Sequence, residues 1–115
     1  MTNPGRLLEL ADTILDGTVG LGVRGPRTAA VLTRSAFEMW LDAVSAPWVP
    51  DFGHGPSTRS KLVVLRALHG AGKGDPAEQV WQRLSRACHH HAYDLQPSAG
   101  EIRRLVMLTR GLVAP

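Results

Sequence analysis

At 115 residues, with 43% hydrophobic and 20% charged side chains, the chain has the composition of one globular domain that can bury a core without disulfides, which excludes a disordered polymer. Aromatic residues make up only 5% of it and β-branched runs are scarce, which argues against a sheet. The net charge is +3 and Lys61 and Lys73 are the only lysines among thirteen basic residues; so strong an arginine bias suits phosphate or carboxylate partners, and GC-rich coding produces it equally well.

Five helical segments are predicted from their periodicity and punctuation. Residues 5 to 16 carry Leu7, Leu8, Ala11, Ile14 and Leu15 at helical spacing before Gly17, Gly20 and Gly22 end the run. Pro26 suits a first helical turn, and residues 27 to 45 put Val31, Leu32, Ala36, Met39, Trp40 and Val44 on one recurring face of the longest helix. Pro47, Pro50, Gly53, Gly55 and Pro56 make 46 to 56 a loop, with Trp48 and Phe52 expected to tuck against the bundle. A third helix starts near Ser57 and carries Leu62, Val63, Leu65 and Leu68 up to Gly70 and Gly72. Asp75-Pro76-Ala77-Glu78 has the spacing of a reciprocal N-terminal cap, so a fourth helix is predicted from there to about Leu95. Ser98 and Glu101 repeat that spacing ahead of a last helix with Ile102, Leu105, Val106, Thr109 and Leu112 as its stripe. Short glycine-rich turns favour antiparallel neighbours. The expected fold is therefore all-α: a four-helix up-and-down bundle with an additional short N-terminal helix, spanning residues 1–115 as a single domain.

The lone Cys88 has no internal disulfide partner, and no apolar run reaches the roughly 18 residues that span a bilayer. Glu9 and Asp12 interrupt the leucines of the N-terminal segment, so it does not read as a signal peptide. No membrane association and a reducing cytoplasmic location are the expectations.

The dense chemistry lies between Arg83 and Tyr93, where three of the five histidines follow two arginines. On an ideal helix advancing about 100° per residue, Trp81, Leu84, Cys88, His91 and Leu95 cluster toward the core, and Arg83, Arg86, His90 and Tyr93 turn away from it. His91 reads as either a hydrogen-bonded core residue or a proton-transfer group, because imidazole titrates near neutral pH. Cys88 and His91 could form half a metal site, but consecutive histidines diverge and no second pair of ligands is evident, so no metal or other cofactor is expected. Arg34 and Glu38 have the spacing of a surface ion pair. Arg103, Arg104 and Arg110 either extend a basic face or, for Arg110, complement a helix dipole.

Arg86, His91 and Tyr93 have the RxxxxHxY form, and in this the chain resembles HepT-like members of the HEPN superfamily. Arg83 with His89 or His90 satisfies the looser arginine-histidine form as well, and Thr33-Arg34-Ser35-Ala36-Phe37-Glu38 is similar to an arginine-glutamate pattern of HEPN-like domains. The resemblance implies a helical bundle that binds RNA and acts as a metal-independent endoribonuclease, with the ribose 2′-hydroxyl attacking the adjacent phosphate, in a toxin or defence role. His91 would be the general acid or base, Arg86 would hold the phosphate, and His90 would assist proton transfer. Arg83 and His89 would contact substrate. Tyr93 would be a regulatory position to which a partner nucleotidyltransferase attaches nucleotides, and the resemblance implies an antitoxin or such a nucleotidyltransferase as partner. Residues five apart on a straight helix point about 140° apart, so a bend or a homodimer would be needed to bring Arg86 and His91 together. The competing reading is a noncatalytic helical bundle serving protein interaction or dimerisation.

Overall fold

A computed structural model describes residues 3–48, 57–89 and 97–114, and the described residues are helical and turn structure without strand. Five α-helices run in chain order as α1 (Pro4–Leu15), α2 (Gly25–Ser45), α3 (Thr58–His69), α4 (Ala71–Cys88) and α5 (Ala99–Val113). Short 3-10 turns at Gly22–Arg24 and Ala46–Trp48 flank α2. The all-α bundle with a short N-terminal helix expected from the sequence is thus the architecture observed. The 3-10 turn at Ala46–Trp48 begins the predicted loop; the expectation for Trp48 and Phe52 concerns side chains outside the described set.

Local chemistry sets most of the helix starts. Asn3 accepts at its Oδ1 from the Arg6 N–H at 2.9 Å, Ser57 Oγ from the Ser60 N–H at 3.2 Å and Ser98 Oγ from the Glu101 N–H at 3.1 Å. Each satisfies an amide that the first helical turn would otherwise leave without a partner.

Helix α2 is the hub, in contact with all four other helices, while α1 and α4 also pack on α5. Phe37, Leu41, Leu8, Leu65, Leu84, Ile102, Leu105 and Val106 are fully enclosed and draw one apolar cluster from every helix. The buried face of α2 differs from the one predicted. Ala29, Ala30, Thr33, Phe37 and Leu41 join Ala36 and Trp40 inside, whereas Val31 is 47% exposed. On α3, Leu62 and Leu65 are buried but Val63 and Leu68 face solvent. Small alanines on α2 admit neighbouring helices closely, which moves the contact stripe away from Val31. Thr33 is tolerated in the core because its hydroxyl donates to the Ala29 carbonyl at 2.7 Å.

Both ends of α4 depart from expectation. The helix begins at Ala71, a turn ahead of Asp75, and Gly70 with φ +81° alone separates it from α3. Gly74 explains the extra turn: a Cβ there would lie 2.6 Å from Arg66 Cβ and 2.7 Å from its Cα, so the two helices meet almost backbone to backbone. Asp75 is consequently inside the helix, with Oδ1 3.4 Å from Arg66 Nε. Pro76, also inside, leaves the Gly72 carbonyl without its helical donor, at a position exposed enough for water to solvate. At the other end the helix stops at Cys88, and His89 is extended with φ −73° and ψ 125°. The predicted continuation to Leu95 therefore fails at His89, where a run of histidines offers little helix propensity to carry the element on.

Candidate functional site

The last two turns of α4 divide their side chains cleanly. Leu84 and Ala87 enter the core, Trp81 and Cys88 lie partly buried against it, and Gln82, Arg83 and Arg86 face solvent. The arrangement agrees with the helical wheel drawn from the sequence as far as Cys88. Arg86 sits in the final turn, and its carbonyl accepts from the His89 N–H at 3.2 Å, as does that of Ser85 at 3.1 Å. His89 is exposed at the C-cap.

Arg83 takes a different side from Gln82. It lines a small groove of about 130 Å³ between α4 and α5, with Pro76, Val80, Leu108 and Leu112. Arg86 lies between that groove and a larger one on the α3 side, near the middle of the exposed face by helical geometry. The other proposed site residues, His90, His91 and Tyr93, lie outside the described residues, as does the remainder of the RxxxxHxY pattern. Among the described residues no group of three His, Cys, Asp or Glu side chains is arranged as a metal ion would require, and no helix is long and apolar enough to cross a membrane.

A polar seam between α2 and α4 went unread in the sequence. Arg34 Nε donates to Glu38 Oε1 at 3.1 Å, as the four-residue spacing predicts, and the same guanidinium lies 4.7 Å from the centroid of the Trp81 ring. Trp81 also stacks on Phe37, with centroids 5.9 Å apart and planes at 23°. Two α2 residues therefore fix the orientation of the α4 indole. One turn on, Ser85 Oγ is buried with no hydrogen-bond partner among the described residues. Burial pushes the Cys88 thiol up from its ordinary pKa, against the opposing pull of the nearby Arg34 charge. The thiol is consequently protonated at neutral pH and poorly suited to act as a nucleophile. Only the Arg34–Glu38 spacing signalled this seam, since nothing local to α2 reveals that α4 is its neighbour.

Two of the three α5 arginines are engaged within the fold, and Arg104 is exposed. Arg103 donates to the Leu15 carbonyl at 2.9 Å and approaches Asp16 at 3.8 Å, while Arg110 donates to Asp12 Oδ2 at 2.6 Å. Both fasten α5 to the C-terminal half of α1. Arg110 stands in the last turn of α5, where the sequence reading placed a complement to the helix dipole, and it serves a carboxylate on another helix as well.

No family model, curated protein or solved structure matches this chain.

Proposed function

We propose that the protein is a HEPN-like RNA-binding domain and a metal-independent endoribonuclease, acting as a toxin or defence component in a reducing cytoplasm. The observation that carries the reading is the termination of α4 at Cys88, two residues after a solvent-facing Arg86. The roughly 140° that a continuous helix would impose between Arg86 and His91 is no longer a constraint, because the helical register ends between them. Arg86 would bind the scissile phosphate and stabilise charge developing on it, and His91, assisted by His90, would move the proton of the attacking 2′-hydroxyl and of the leaving 5′-oxygen. Arg83 and His89 would hold flanking phosphates. A second copy of the chain remains the expected partner for a complete cleft, with Tyr93 as the position at which a nucleotidyltransferase or antitoxin acts.

The test is cleavage of a defined single-stranded RNA by the purified full chain in EDTA. Arg86→Ala should lower the rate by about 10² to 10³-fold and His91→Ala by about 10² to 10⁴-fold, with unchanged helical content. Activity persisting in both variants would mean a contaminating nuclease and would sink the proposal.

A noncatalytic interaction module is the second reading, favoured by one observation: Met107 and Leu108 are exposed beside one another on α5. On that reading Met107→Ser would change the mass measured by light scattering, while Arg86→Ala would alter neither mass nor any RNA.

A further inference from the structure

The larger groove on the α3 side of α4 has a volume of about 350 Å³, within the roughly 300–1,000 Å³ range of ligand sites. Arg59, Leu62 and Arg66 of α3 line it opposite Glu78, Trp81 and Gln82 of α4. Its shape follows from the contact at its closed end, where Gly74 lets α4 touch Arg66. Farther along the pair, where no glycine intervenes, full side chains stand between the helices and the groove opens.

Its chemistry is that of a nucleotide rather than of a simple anion. Arg59 is exposed and makes no hydrogen bond or ion pair among the described residues, and Arg66 uses only its Nε toward Asp75. Trp81 supplies an aromatic ring whose pose is already set by Phe37 and Arg34, so little side-chain entropy would be lost on stacking. Gln82 is exposed; its Nε2 donates one hydrogen to Glu78 Oε1 at 3.5 Å, which leaves the second N–H and the carbonyl oxygen for a base edge. Guanidinium, indole and carboxamide in one cleft match the way unpaired bases are read, by stacking and edge hydrogen bonds.

The groove also leads somewhere. Gln82 and Arg86 are four residues apart on one exposed face of α4, about 6 Å along the helix axis. A strand seated between α3 and α4 would run from the groove onto Arg86 and toward His89 at the end of the helix. We propose that the α3–α4 groove is the subsite for the nucleotide flanking the scissile phosphate of single-stranded RNA, with Arg59 on phosphate and Trp81 and Gln82 on the base. The proposal rests on the RNA-cleaving reading given above.

Binding can be measured apart from cleavage with a uridine octamer carrying 2′-fluoro groups throughout, by fluorescence anisotropy across a salt series and by quenching of tryptophan emission. Arg59→Ala should raise Kd and flatten the dependence of log Kd on log salt by about 0.7, one phosphate contact on a single strand. Trp81→Phe should abolish most of the quenching and weaken binding about fivefold or more, and the exposed change Gln82→Ala should weaken it without affecting helix content. Arg104→Ala, an exposed arginine away from the groove, should match the wild type. If Arg59→Ala and Gln82→Ala both bind like Arg104→Ala while Arg86-dependent cleavage in EDTA persists, the groove assignment falls and the cleavage reading stands. A wild type that neither binds the octamer nor cleaves RNA overturns both.

Discussion

Two seams of the bundle use the same residue type for opposite ends. Along α1 and α5, Arg103 and Arg110 are committed to partners on the neighbouring helix, the Leu15 carbonyl and the Asp12 carboxylate. Along α3 and α4, Arg59 has no such partner among the described residues, Arg66 engages Asp75 through Nε alone, and Arg86 faces solvent in the last turn. The arginine-rich composition is common to both, so composition alone does not separate structural cations from those available to a ligand. What separates them is whether an acceptor stands within reach on the helix across the seam.

Helices α3 and α4 come closest at Gly74. Gly74→Ala places a Cβ inside Arg66 backbone and side-chain atoms, and the helices cannot part without disturbing Leu65, Ala77 and Val80 in the core. A loss of about 1–3 kcal/mol in urea denaturation is expected, from overpacking at a buried site. A variant as stable as the wild type would show that the close approach is not a fixed feature of the fold.

The α1–α5 seam should respond less, and in a graded way. Arg103→Ala leaves the Leu15 carbonyl at the end of α1 without its side-chain donor, and removes a positive charge from a helix C-terminus. Because Arg103 is about half exposed and water can replace it, the expected loss is about 1 kcal/mol, read as a lower urea midpoint with an unchanged m-value. Its effect on RNA binding should be indistinguishable from that of Arg104→Ala. A greater loss of RNA binding than of stability would erase the distinction between the two seams.

How much of this was readable from the chain alone follows the range of the physics involved. Ser57 and Ser98 cap helices through atoms three residues away, so their role is visible in sequence. Asp75-Pro76-Ala77-Glu78 has an equally good local pattern and misleads, because the contact of Gly74 with Arg66 stabilises one more turn than local capping requires. Val31, Val63 and Leu68 keep helical spacing with buried residues yet face solvent, since periodicity gives a stripe but not how far the neighbouring helices wrap around it. For the candidate site, the exposure of Arg83 and Arg86 came directly from the helical wheel. The pairing of Trp81 with Arg34 and Phe37, and the groove beside it, depend on which helices are neighbours, and residues 34 and 81 carry no local sign of that. The histidine run drew attention to the end of α4, but the position where the helix stops was visible only in the backbone of His89.

The smallest expected effect is also the cleanest probe of how the α1–α5 seam is held. Arg110 and Asp12 form a short pair, but their side chains remain 49% and 39% exposed, so solvent screens the charges and the long arginine loses rotamer freedom on being held. A double-mutant cycle with Arg110→Ala and Asp12→Ala should therefore give a coupling of only about 0.2–1 kcal/mol. That coupling should shrink as salt is raised from 0.1 to 1 M, because the Debye length falls from about 10 Å to about 3 Å. The residual attraction at high salt would report the directional hydrogen bond rather than the charge. A coupling well above 1 kcal/mol, insensitive to salt, would mean that the pair is shielded from water in a way that its exposure does not indicate. In that case Arg110 would belong with the buried determinants of the fold, and the contrast between the two seams would be one of burial rather than of available acceptors.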